Sequence, residues 1–399
     1  MALLSVFLFQ TCDQPESKTE HGVAGDLIAA TQIQEYSSAD IQVILQGIGL
    51  ENPGNAVNSL RAVKLNYLSP DLDGELRSLS GALIYPLDET THPLLNIGHG
   101  TVTKRGEVAS VNPMNSSAGM SALLTASQGY VTLVPDFAGF GDSRELHPYL
   151  HAESLVNATI DMIRAAEVYC AENSILLNEQ LFLTGYSEGG YACLATQRTL
   201  ETEFSDEFVL TASAPMAGPY DLYEIATVVL SEESALWPAY IGFLLVAYDE
   251  IYEFNNLGNV FQAPYDEQVK HYYDGSSSFF EINGQLPQSM TDLISPDFRL
   301  SYLDGTETDY TSAFKENSLL DWSPITPARL YHGMADETVP YVIAEITAEN
   351  LRANGATDLE LVGIPGANHS TAGIPALLAM LEWFSSFQGD DANLVNQIK

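Results

Sequence analysis

The stretch Leu181-Phe182-Leu183-Thr184-Gly185-Tyr186-Ser187-Glu188-Gly189-Gly190 decides the fold. Its apolar start predicts a buried strand, and from Gly189 to Glu203 apolar residues recur at helical spacing. Residues 185 to 189 therefore form a G-x-S-x-G turn between a strand and a helix. The turn is so tight that side chains flanking the serine would collide with the neighbouring strand and helix, so positions 185 and 189 must be small. It lifts the Ser187 hydroxyl above the sheet edge and puts the Glu188 amide at a helix start, facing any oxyanion formed there. The plain alternative is a Gly-rich connection in which Ser187 only caps the helix.

Outward from this turn, short apolar runs recur at 81–86, 94–98, 130–135, 208–212, 330–332 and 359–363, each bounded by Gly, Pro or Asp. Most of them lack alternation, which is what a sheet covered on both faces requires and which favours parallel strands. Helical patterns occupy 154–172, 189–203, 341–354 and 372–387. Alternating strands and helices predict an α/β fold with a mostly parallel central sheet flanked by helices. That rhythm breaks between Tyr220 and Asn317, which predicts an inserted, mainly helical cap. The expected organisation is a leader over 1–25, a first core part over 26–216, the cap over 217–317 and a second core part over 318–399. No fixed-period repeat is present, which argues against a solenoid or propeller.

A serine hydroxyl attacks only when a base takes its proton and an acid orients that base. In folds with such a turn the chain order is serine, acid, histidine. Downstream, Leu330-Tyr331-His332-Gly333-Met334-Ala335-Asp336-Glu337 puts Asp336 just past a strand, with Glu337 as its rival. Gly366-Ala367-Asn368-His369 puts His369 in the loop after the last strand, and it is preferred to His332, which precedes the acid. Both fall at carboxyl ends of strands, where an α/β sheet collects its site. The second oxyanion donor is expected in Gly98-His99-Gly100-Thr101, from the amide of Thr101 or, second, of Gly100, with His99 as a structural hydrogen-bonding residue. Asp136, in a Gly-rich turn without metal-ligand partners at suitable spacing, is read as loop architecture, and no metal site is expected.

The 399 residues carry 53 acidic and 15 basic side chains, a formal charge of −38. Charged residues total only 17%, where about 25% is usual, so the acidity is a depletion of cations. That sign excludes a nucleic-acid surface, and 46% hydrophobic residues exclude a disordered acidic chain. No apolar run reaches the roughly 20 residues of a membrane span. Residues Ala2 to Phe9 form a short apolar stretch, and Cys12 sits where a lipoprotein signal has its lipidated cysteine; export is expected, with a lipid anchor at Cys12 left open. Cys170 and Cys193 are read as small core residues rather than one bridge.

Taken together, His99-Gly100-Thr101, Asp136 with Gly139 and Gly141, Gly185 to Gly190, His332-Gly333 through Pro340, and Asn368-His369 resemble the α/β-hydrolase superfamily, and within it the secretory lipase group similar to fungal lipase A. The resemblance runs from about Val63 to Phe387 and implies cofactor-free hydrolysis of a small-molecule or lipid ester through an acyl-enzyme on Ser187. The cap residues Trp237, Tyr240, Phe243, Leu244, Leu245, Phe279 and Phe280 supply either an acyl pocket or ordinary packing of cap on core. A serine peptidase of the same fold and a catalytically silent binding or adhesion module on a hydrolase scaffold remain as alternatives.

Overall fold

The computed structural model describes residues 22–47 and 58–388. Most of the leader expected over 1–25, Cys12 included, lies outside them. A single sheet is built from β1 (Leu27–Tyr36), β2 (Leu60–Pro70), β3 (Leu76–Pro86), β4 (His92–Gly98), β5 (Val131–Pro135), β6 (Leu177–Tyr186), β7 (Leu210–Met216), β8 (Ala328–Gly333) and β9 (Leu359–Ile364). Their order is β1-β2-β3-β5-β4-β6-β7-β8-β9. From β5 to β9 all neighbours run parallel, whereas β1, β2 and β3 extend the β5 side as antiparallel strands. The expected mostly parallel sheet is present, and β6, with its turn, lies inside it.

The antiparallel extension is longer than the sequence reading foresaw. β1 and β2 are absent from it, and β3 begins five residues before the predicted Gly81. β1 is an edge strand with one buried residue, Tyr36, so its apolar pattern is faint. The strand expected from Phe208 starts at Leu210 and continues through Pro215 to Met216.

Helices cover both faces of the sheet. Along β6, Leu181 and Leu183 face one cluster with α3 (Ala152–Glu172) and α4 (Glu188–Thr202), while Phe182 between them faces the other. The second face is closed by α1 (Ser38–Gly47), α2 (Ser117–Ser127) and the C-terminal helix Gly373–Ser385. A strand buried on both sides has no polar face to alternate with, which explains the continuous apolar runs. Cys170 and Cys193 are buried in the first cluster as free thiols, and burial pushes both thiols up in pKa. Between β7 and β8 the chain makes eight helices, from α5 (Leu222–Ser231) and α6 (Pro238–Ile251) through to Asp309–Glu316.

Phe182 is fully buried and packs on Phe384 at 4.6 Å between ring centroids and on Tyr130 at 6.0 Å. Phe182→Ala is expected to lower the unfolding free energy by about 3–5 kcal/mol. Urea titration reads this directly, and a loss under about 1 kcal/mol would mean that this face is not close-packed.

Candidate active site

The turn predicted from sequence is formed by Ser187 in a left-handed backbone conformation, φ 59° and ψ −119°, between β6 and α4. A non-glycine residue there carries strain of about 1–3 kcal/mol, which the surroundings must hold. They do so with a hydrogen bond from the Ser187 amide to the Met216 carbonyl at 2.8 Å, on the adjacent strand β7, and by close backbone packing. A Cβ on Gly185 would lie 2.2 Å from the Gly189 carbonyl oxygen, and one on Gly189 would lie 2.0 Å from that of Gly98. The helix therefore sits directly on the ends of β4 and β6, and Ser187 is only 8% exposed.

His369 comes from the loop after β9. Asn368 shapes it by accepting hydrogen bonds at Oδ1 from the amides of Ser370 and Thr371. The Tyr186 hydroxyl donates to the His369 carbonyl at 2.6 Å, and the two rings lie 5.3 Å apart. Tyr186 thereby ties the loop that carries His369 to the end of β6, a contact that sequence reading missed. The imidazole Nε2 is 3.0 Å from Ser187 Oγ, and Nδ1 is 2.7 Å from Asp336 Oδ2. With Nδ1 donating to the carboxylate, the Nε2 lone pair faces the serine hydroxyl.

Asp336 follows β8, and its side chain is fully buried. Its Oδ1 accepts from the amides of Thr338 and Val339, both at 2.9 Å. Burial alone would raise this carboxyl. Hydrogen bonding from His332 and His369 and from the Val339 amide outweighs burial and holds it well below the usual carboxylate range. The rival acid Glu337 is exposed and turns to the cavity instead. The rival base His332 donates from Nε2 to the Val339 carbonyl at 2.8 Å and stands 3.4 Å from Asp336 Oδ2, so it packs against the Asp336 carboxylate.

Near the serine, a Cβ on Gly100 would lie 3.7 Å from that of Ser187, so the loop after β4 passes beside Ser187. The amides of Thr101 and Glu188 donate to no group among the described residues. The Thr101 hydroxyl shares a hydrogen bond of 2.9 Å with the Tyr149 hydroxyl. His99 bridges the Gly100 and Asp136 carbonyls, 2.8 Å from each. The Asp136 carboxylate is taken up by the hydroxyls of Ser80, on β3, and Ser110, in the loop after β4; burial raises its pKa against those bonds.

A cavity of about 350 Å³ opens on Ser187. One face of α5, with Ile225, Ala226 and Val229, lines it opposite Tyr240 and Leu244 of α6. The cap residues of the sequence reading thus divide. Trp237, Tyr240 and Leu244 line the cavity, Phe243 is stacked between Tyr149 and Tyr273 at 4.5 Å from each, and Phe280 is exposed. Sequence reading also missed His147, whose Nε2 lies 2.6 Å from Glu188 Oε1; nothing in Glu145-Leu146-His147-Pro148 announces a partner 41 positions away.

Residues 116–393 match the family model described as secretory lipase. No curated protein matches the chain. Among solved structures it is similar to the rice cell wall degrading esterase LipA from Xanthomonas oryzae in a ligand-bound form, with 29% identity and a TM-score of 0.80 over 95% of this chain and 100% of that one. Candida antarctica lipase A in its closed state shares the fold at 16% identity, with a TM-score of 0.69 over 94% of this chain and 85% of that one.

Two outcomes follow from this geometry. Gly189→Ala is expected to cost at least about 1–3 kcal/mol by overpacking, read as a drop in Tm, while Gly106→Ala, with nothing within 4 Å of the added Cβ, leaves Tm unchanged. Because Asp336 has a lower pKa folded than unfolded, its stabilisation is complete above the unfolded carboxylate range and is lost as pH falls toward the folded value. The gap in unfolding free energy between wild type and Asp336→Asn should therefore shrink between about pH 6 and about pH 3. A gap that stays constant over that range would contradict the assignment.

Proposed function

Given that this chain belongs to the secretory lipase family and is a carboxylic-ester hydrolase, we propose that it works as an exported serine esterase or lipase with Ser187, His369 and Asp336 as nucleophile, base and acid. The observation that carries this reading is the pair of contacts made by one imidazole, 3.0 Å to the Ser187 hydroxyl and 2.7 Å to the Asp336 carboxylate.

Ser187 Oγ attacks the ester carbonyl as its proton passes to His369 Nε2, and the resulting imidazolium is stabilised by Asp336. The carbonyl oxygen becomes an oxyanion that the amides of Glu188 and Thr101 receive, a contribution on the order of several kcal/mol for two donors. Collapse breaks the ester C–O bond, and the leaving alkoxide takes the proton from His369. Water then attacks the acyl-enzyme with His369 again as base, releasing the carboxylic acid and restoring the Ser187 hydroxyl. No cofactor enters this cycle.

The acyl chain is assigned to the cavity between α5 and α6, whose apolar lining suits hydrocarbon. In this reading residues 217–317 form a cap that roofs the site, inserted between core parts 26–216 and 318–399. The esterase neighbours support an ester over a peptide bond, and the complete hydrogen-bonded set of three side chains supports a working enzyme over a silent binding module. The family supports export; among the described residues no helix is long and apolar enough to cross a membrane. A lipid on Cys12 would appear as added mass on the mature N-terminus.

Nitrophenyl esters of increasing acyl length test the proposal. Ser187→Ala is expected to lower kcat on the order of 10⁴-fold or more, and a fluorophosphonate should label a single peptide containing Ser187. Retained turnover in the alanine variant would discard the mechanism. A sharp optimum in acyl length would measure the cavity.

A further inference from the structure

Directly behind the nucleophile lies a titratable pair that the ester cycle leaves unused. His147 Nδ1 is 2.7 Å from the Ala138 carbonyl, and Nε2 is 2.6 Å from Glu188 Oε1. The two side chains are 1% and 0% exposed. Around the imidazole stand aromatic rings, with Phe140 at 4.5 Å, Phe243 at 5.8 Å, Tyr149 at 6.2 Å and Phe137 at 6.3 Å. The second carboxylate oxygen, Glu188 Oε2, has no hydrogen-bond partner among the described residues.

The partners fix the proton count. A carbonyl oxygen only accepts, so Nδ1 carries a hydrogen. A neutral ring would then turn its Nε2 lone pair on a carboxylate oxygen at 2.6 Å, which is repulsive. One more proton must lie between the two groups, and whether the ring or the carboxyl holds it, the pair is neutral overall. This matters because Glu188 follows Ser187 directly, and its amide is the assigned oxyanion donor. An unneutralised carboxylate buried there, in an apolar shell that screens little, would oppose the negative charge that forms on the carbonyl oxygen.

We propose that His147 is a positioning residue of the oxyanion site: by holding one proton with Glu188, it keeps the side chain that adjoins the nucleophile from presenting a negative charge to the transition state. The proposal rests on the serine reading given above. It assigns the loss expected on removing His147 to kcat, since the charge it cancels is felt when the oxyanion forms and hardly when neutral ester binds.

The test compares wild type, His147→Gln and His147→Gln/Glu188→Gln on one nitrophenyl ester, with circular dichroism and Tm as checks of folding. H147Q is expected to lose at least about tenfold in kcat with KM changed by less than about threefold. The double variant, with two neutral amides facing each other, is expected to regain most of that loss. H147Q at wild-type kcat, or a folded double variant no faster than H147Q, overturns the proposal. Should H147Q not fold, the double variant decides alone: kcat within about tenfold of wild type supports the proposal, and a folded but slower enzyme overturns it. For the wild-type protein itself, ¹⁵N-histidine NMR should show His147 protonated at Nδ1, and a bare Nδ1 overturns the proton count. Turnover surviving Ser187→Ala would instead strike the serine reading, so the two failures are distinct.

Discussion

The site depends on three backbones meeting without side chains between them. Gly98 at the end of β4, Gly185 at the end of β6 and Gly189 in the first turn of α4 approach until a single methyl on any of them would strike main-chain atoms. That contact holds the strained conformation of Ser187 and its hydrogen bond to the Met216 carbonyl on the next strand. It also fixes the start of α4 against the loop after β4, which brings together two segments whose Glu188 and Thr101 amides donate to no group among the described residues. Interiors do not deform gradually, and a helix displaced by one methyl would separate those amides.

How much could be read from sequence followed from how locally each feature is encoded. The Ser187 turn needs glycines within two positions of the serine, so it was legible at once. Asp336 and His369 could be singled out because each follows a short apolar strand and chain order favours them, and the structure places their side chains 2.7 Å apart. Their rivals could not be weighed fully without coordinates: His332 proved to be a second support for Asp336, and Glu337 proved to face solvent and the cavity. β1 was missed because an edge strand buries one residue, and an exposed strand has no hydrophobic pattern to find. Tyr186 and His147 were missed because their partners lie 183 and 41 positions away, and a hydrogen bond between distant segments leaves no periodic trace.

The chain has few cations, and among the described residues two of its arginines act as ties between segments. Arg105 donates to the carbonyls of Gly139, Arg144 and Asp274, joining the loop after β4, the loop after β5 and the helical segment between β7 and β8. Arg164 on α3 bridges Asp161 and Glu207 and lies over the rings of Phe204 and Phe208. The pair with Glu207, whose carboxylate is half-exposed, contributes little by itself. The use of these arginines is geometric, since a forked guanidinium can hold two or three carbonyl or carboxylate groups at once.

The hydrogen bond from the Tyr186 hydroxyl to the His369 carbonyl has a mechanical corollary. β6 and β9 are separated in the sheet by β7 and β8, and any flexing of that span would be felt as a changing gap between serine and imidazole. The phenol spans it, anchored one residue from Ser187 at one end and on the His369 backbone at the other. A tie at that point couples the loop that carries the imidazole to the strand end that precedes the serine, leaving the two segments less freedom to move apart.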